Sequence, residues 1–201
     1  MAPKAAASQL LPSLVKKLVA SGTSFNAKLA ADNLARATAK SGLAALGDQN
    51  VLKLLHNLAE NGKPNERTAS AVAFGSLSTV LGPAVFPVLL QSLPILLALC
   101  GDDDDTVRSA GTRATQAFSN ICPVEGLPIL LEALISELAA SGKWRTKVAC
   151  LKEIARLVDV KEDESREEVA NILAKLLPSV EHTMHDTKKE VRVQSLTKAI
   201  S

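Results

Sequence analysis

The stretch Leu93-Pro94-Ile95-Leu96-Leu97-Ala98-Leu99-Cys100-Gly101-Asp102-Asp103-Asp104-Asp105-Thr106-Val107-Arg108 joins an apolar helix, a turn and the polar start of a second helix. Pro94 stands in a first turn, where the missing N–H costs nothing because that amide has no intrahelical partner. Gly101 closes the apolar run, and the aspartates face the positive end of the next helix dipole. Gly101 is one of four such glycines, Gly22, Gly62, Gly101 and Gly142, spaced 40, 39 and 41 residues apart. Each ends an apolar run, where a left-handed cap is expected. A fixed period near forty is the signature of stacked helix pairs.

The period predicts first helices over Leu10–Ala20, Asn50–Glu60, Phe86–Cys100, Leu127–Ala140 and Glu168–Met184. Second helices are predicted over Ser24–Ala39, Asn65–Val80, Thr106–Ser119, Lys143–Val158 and Thr187–Ile200. The expected fold is all-α, a right-handed α-α superhelix of about five helix pairs. It runs as a single array over residues 1–201, with units at about 8–40, 48–81, 84–120, 124–159 and 166–201. Leu-Pro recurs at Leu11-Pro12, Leu93-Pro94, Leu127-Pro128 and Leu177-Pro178. Asn65 and Asp105 are expected N-caps, and Thr187-Lys188-Lys189-Glu190 reads as a capping box. No polar capping unit follows the fifth pair, so the chain is expected to be the N-terminal part of a longer protein.

Composition agrees with stacked helices. The chain is 47% apolar with one Trp, no Tyr and four Phe, so its interior is made of Leu, Ala, Val and Ile. Residues 1–100 carry nine basic and four acidic residues; residues 101–201 carry fourteen and seventeen. Neither half is basic enough to argue for nucleic acid by charge alone. Cys100, Cys122 and Cys150 form no C-x-x-C pair and read as buried thiols in a reducing compartment. Met1–Ser8 has neither the apolar core of a secretory signal nor the arginines of a transit peptide, so the expected location is cytoplasmic. From Thr68 to Gly101 no residue is charged, a length able to span a bilayer. Gly82, Pro83, Pro87, Gln91 and Pro94 interrupt it, and a turn at Leu81–Pro83 favours two core helices and no membrane.

A basic residue begins each second helix: Lys28, Arg67, Arg108, Lys147 and Arg192. Packed charges need partners, so this ladder reads as structural. Two clusters at helix starts, Lys143, Arg145, Lys147 and Lys188, Lys189, Arg192, read either as solvated lysines or as a strip contacting phosphate, with Trp144 as a stacking residue. Asp102–Asp105 reads as dipole compensation rather than a calcium loop, which needs spread ligands and a late bidentate Glu. His182 and His185 lack a third ligand nearby, so no metal is expected. Cys150 has no local signature of a nucleophile. There is no phosphate loop and no nucleophile elbow, so the segment is not expected to be an enzyme and no cofactor is expected.

Two antiparallel helices, Pro in the first and Asp105-Thr106-Val107-Arg108 at the start of the second, resemble HEAT repeats. Lys143-Trp144, Lys147 and Ala149, Leu157-Val158-Asp159, Leu177-Pro178 and Thr183-Met184-His185-Asp186-Thr187-Lys188-Lys189-Glu190-Val191 together resemble the N-terminal HEAT domain of translation elongation factor 3. That family commonly has Trp where this chain has His185. Lys143-Trp144-Arg145-Thr146-Lys147 also resembles the related region of Gcn1-type translational regulators. The resemblance implies a ribosome-docking, RNA-binding module of an ABC-type ATPase that acts in elongation and release of exit-site tRNA. ATP and magnesium are implied only for domains downstream of this segment. The implied partners are the ribosome, through rRNA and ribosomal proteins, and other translation factors, with the chain itself a monomer. Lys143, Trp144, Arg145, Lys147, Lys188, Lys189 and Arg192 are the implied ribosome contacts. The alternative is a protein-binding scaffold, including a Gcn1-like regulator.

Overall fold

A computed structural model of the protein describes residues 10–21, 24–158, 178 and 188–199. Every regular element among the described residues is helical, as the period requires. The chain divides into two compact units, Met1–Ile121 and Cys122–Ser201.

The first unit contains α1 (Leu10–Ala20), α2 (Ser24–Ser41), α3 (Ala44–Asp48), α4 (Val51–Asn61), α5 (Pro64–Leu81), α6 (Phe86–Leu90), α7 (Leu93–Cys100) and α8 (Asp105–Asn120). First helices α1, α4 and α7 pack in one row, and second helices α2, α5 and α8 in another. Each pair closes on itself through α1–α2, α4–α5 and α7–α8 contacts. The core between the rows is aliphatic, with Leu11, Leu18, Leu34, Leu55, Leu77, Leu89, Leu96 and Leu97 fully buried. Burying each such side chain contributes about 1.5–3 kcal/mol. Phenylalanines fill the wider gaps: Phe86 and Phe118 stack at 5.1 Å with rings 9° apart.

Several local expectations are corrected. The predicted helix Phe86–Cys100 is two helices, α6 and α7, broken at Gln91–Ser92. Pro87 and Pro94 each occupy an opening turn of their own helix, because a proline deeper inside would remove an amide and clash with the preceding turn. The short helix α3, which begins the second repeat, was not expected. Caps lie one or two residues upstream of those predicted. Asp104, not Asp105, accepts from the Thr106 and Val107 amides at 2.9 and 3.1 Å. At α5 the cap position is Lys63, not Asn65; Pro64 opens the helix, and Glu66 reaches back to accept the Lys63 N–H at 2.6 Å.

The glycine caps are also different. Gly62 and Gly101 have negative φ, −78° and −95°. Among the described residues the left-handed glycines are Gly42 and Gly82, at φ 86° and 64°, which end second helices rather than first. Gly62 is required for space: a Cβ there would meet the Leu58 carbonyl oxygen at 2.3 Å. Gly82 also breaks the uncharged run. Pro64–Leu90 is long and apolar enough to cross a bilayer by length and composition, but a 3-10 turn at Gly82–Val85 divides it. Phe74 and Leu77 within it are wholly buried in the core.

The second unit contains α9 (Leu127–Ala140), α10 (144–158) and α11 (Lys189–Ala199). α9 buries Leu127, Leu130, Leu131, Leu134 and Leu138, a stripe with helical spacing. α10 buries Cys150, Leu151, Ile154 and Leu157. Gly22, the predicted helix Glu168–Met184 apart from Pro178, the histidines His182 and His185, and the Thr187 end of the capping box lie outside the described residues.

Candidate functional site

In the first unit, Lys28 and Arg67 of the basic ladder bridge neighbouring pairs. Lys28 Nζ lies 2.9 Å from Asp32 Oδ1 and 3.0 Å from Ser76 Oγ, tying α2 to α5. Burial alone would raise the Asp32 pKa; hydrogen bonds from Lys28 and Ser76 and the charges of Lys28 and Arg36 outweigh it and lower it. Arg67 on α5 donates from Nη1 to the Gly62 carbonyl and from Nη2 to Asp102 Oδ1, both at 2.9 Å. Its Nε lies 2.8 Å from the other Asp102 oxygen. Asp102 thus binds a guanidinium from the preceding pair while accepting the Asp104 amide at 2.9 Å. Arg108 completes the arrangement by donating to the Asp102 carbonyl and pairing with Asp105.

The aspartate run therefore has separate tasks at three positions: Asp102 for the Arg67 brace, Asp104 for the helix cap and Asp105 for Arg108. These pairings leave little of the cluster for a cation. Among the described residues no group of three or more His, Cys, Asp or Glu side chains is arranged to hold a metal. Cys100, Cys122 and Cys150 are buried thiols.

The second unit places the other basic residues at two helix starts. The Lys143 carbonyl accepts the Lys147 N–H at 3.1 Å, so Lys143 caps α10 and Trp144 opens it. Ser141 Oγ accepts the Lys143 amide at 3.2 Å and fixes the entry of the chain. Arg145 lies over the Trp144 ring, with its guanidinium carbon 4.9 Å from the centroid, a cation–π arrangement. Lys143 is exposed, whereas Trp144, Arg145 and Lys147 are half-buried. At α11, Lys188 and Lys189 are exposed and Arg192 is half-buried, while Val191 anchors the turn in the interior.

A helix start is the positive end of its dipole, and acidic residues are favoured there. α10 instead begins with Lys143, Arg145 and Lys147, and no carboxylate occurs between Glu137 and Glu153. Glu153, buried, is held by Arg156 at 2.6 Å on the same helix. A helix N-terminus also presents free backbone N–H groups, so this end of α10 carries positive charge from both backbone and side chains.

Residues 27–198 match the sequence profile described as EF3 N-terminal HEAT repeat, EF3 being elongation factor 3. The chain belongs to the elongation factor 3 N-terminal HEAT-repeat family. It is 34% identical to elongation factor 3B of Saccharomyces cerevisiae over 130 residues, covering 65% of this chain and 12% of that protein. It is 33% identical to the mRNA export factor elf1 of Schizosaccharomyces pombe over 146 residues, 71% of this chain and 13% of the other. It is also 24% identical to the mouse stalled ribosome sensor GCN1 over 192 residues, 95% of this chain and 7% of the other. The chain thus spans about one eighth of the length of its fungal relatives.

Two features had no counterpart in the sequence reading. His56 Nε2 lies 2.8 Å from Ser92 Oγ, and its ring stacks on Phe74 at 5.9 Å. A groove also runs across the second helices of the first unit. Both depend on residues brought together from different repeats, which spacing alone does not reveal.

Proposed function

We infer that the chain is a ribosome-docking HEAT module of an elongation factor 3-like translation factor. On this reading it works in the cytoplasm as part of an ATPase that assists elongation and the release of exit-site tRNA. ATP and magnesium act in domains beyond this segment, which itself contributes binding and no catalysis. The observation that carries the reading is the cationic start of α10, with Arg145 held over Trp144, inside the stretch that matches the elongation factor family. Lys143, Lys147, Lys188, Lys189 and Arg192 supply phosphate contacts to rRNA, and Trp144 and Arg145 a planar surface for stacking.

The test is co-sedimentation of the chain with purified ribosomes across a salt series. Phosphate-dominated docking weakens steeply with salt. Reversing Lys143, Arg145, Lys188 and Lys189 to Glu lowers binding and flattens the salt slope. Binding that survives the reversal unchanged rejects the site. The second reading, a protein-binding scaffold of the regulator type, is favoured by the match to mouse GCN1 over 95% of the chain. It predicts docking to a protein partner that is largely insensitive to salt.

A further inference from the structure

The second helices of the first three pairs, α2, α5 and α8, enclose a groove of about 430 Å³. Its floor is made of small residues, Ala71 and Gly75 from α5 and Ala110, Ala114 and Ala117 from α8. A Cβ added to Gly75 would lie 3.6 Å from Ala114 Cα, so the backbones of α5 and α8 approach closely here. Among the described residues two cations line the groove, Lys28 from α2 and Arg113 from α8, and no carboxylate does. Of the carboxylates on these helices, Asp32 pairs with Lys28 itself, so Arg113 is the principal charge facing the groove, while Glu66 accepts the Lys63 amide and Asp105 pairs with Arg108. Arg113 is exposed. An ammonium has three donors; Asp32 and Ser76 take two of those on Lys28, and its side chain is 54% exposed. The three helices carry six basic residues against three acidic ones.

We propose that this groove binds a short acidic segment of a partner protein. Its carboxylates pair with Arg113 and Lys28, and its backbone and small apolar side chains lie on the alanine floor. Charge complementarity selects the sign of the partner. A floor without bulk lets a second backbone come close. A mostly apolar cleft with a few placed polar groups is the usual form of a binding site. A polypeptide fits this lining better than RNA, because among the described residues no aromatic ring lines the groove for a base to stack on. The groove lies in the first unit and the cationic start of α10 in the second, so the two sites are separable by mutation.

The experiment measures fluorescence anisotropy of a labelled acidic peptide of Ala, Leu and Glu titrated with the whole chain. A peptide with Gln in place of Glu and a single-stranded oligouridylate serve as comparisons. The acidic peptide binds, and the Gln peptide binds at least about tenfold more weakly. Arg113→Glu weakens the acidic peptide by about tenfold, and Ala117→Trp, which fills the groove, abolishes binding. Lys188→Glu with Lys189→Glu leaves peptide affinity unchanged, which separates this site from ribosome docking. Arg113 is exposed, so its reversal retains the fold, checked by circular dichroism, even if the filled variant does not. No binding of the acidic peptide, or equal binding by wild type and Arg113→Glu, overturns the proposal. Oligouridylate binding that depends on Arg113, without peptide binding, assigns the groove to RNA instead.

Discussion

Arg67 and Asp102, 35 residues apart in sequence, meet in a two-point contact, Nη2 to Oδ1 at 2.9 Å and Nε to Oδ2 at 2.8 Å. Asp102 holds the guanidinium in its charged form and raises the Arg67 pKa further. The Arg67 and Asp102 side chains are 22% and 13% exposed, so neither partner has much water to fall back on.

Asp102→Ala strands both Arg67 and the Asp104 amide, whose acceptor it is. The expected loss is about 1–3 kcal/mol, the cost of leaving half-buried donors without their acceptor. Arg67→Met paired with Asp102→Leu should lose much less than the two single changes added together. Urea unfolding of all four chains checks this: a coupling energy near zero would show that the pair contributes nothing between repeats.

His56 is expected to contribute a pH dependence of stability on the acid side of neutrality. Burial lowers its pKa below the usual 6.5, against a smaller opposing effect from Glu60. The unfolded chain therefore binds more protons than the native one once pH falls to 6.5 and below. The stabilisation is present above that value and declines as pH falls toward the native pKa. His56→Gln should remove this slope while leaving the separate loss below pH 3.8, where the lowered Asp32 carboxyl takes up its proton. Thermal midpoints between neutral and mildly acid pH decide it: an equal decline in the variant refutes the assignment.

Gly111 and Gly142 differ sharply in what a methyl group would meet. At Gly111 it would lie 2.7 Å from the Leu99 carbonyl carbon and 2.8 Å from the Cys100 nitrogen. At Gly142 nothing lies within 4 Å. Gly111→Ala should cost about 1–3 kcal/mol by forcing α7 and α8 apart, and Gly142→Ala should be within about 0.5 kcal/mol of wild type. Denaturant midpoints of the two variants give the comparison directly.

Trp144 is the single tryptophan, so its emission reports on one place. The proposed ribosome docking predicts a change in its fluorescence on adding ribosomes, and Arg145→Lys, which keeps charge but loses the planar fork, should weaken that docking by up to about tenfold. An unchanged spectrum at saturating ribosome would remove Trp144 from the interface.

α1 and α9 have the ends that the sequence predicts, and α2, α4, α5, α8 and the start of α10 fall within one or two residues of prediction. Those helices have strong apolar periodicity and clear breakers. The failures have local causes. Phe86–Cys100 read as one helix because its apolar run is continuous; the two opening-turn prolines split it. The glycine period was real, but Gly62 is kept for close packing, while the left-handed turns fall at Gly42 and Gly82. Of the site, the cations at the start of α10 were legible as a cluster. The Arg145–Trp144 stack and the Arg113 groove were not, because they depend on side-chain direction and on helix crossing.

Gly42 and Gly82 stand forty residues apart, each leaving its second helix with φ positive and no atom within 4 Å of an added methyl. These are natural seams for protein engineering. The backbone turns there without leaning on the core, so a foreign peptide grafted after Gly42 should hang outside the array, leaving the thermal midpoint almost unmoved. The same seam allows pairs to be duplicated or exchanged in whole multiples, as modular cassettes.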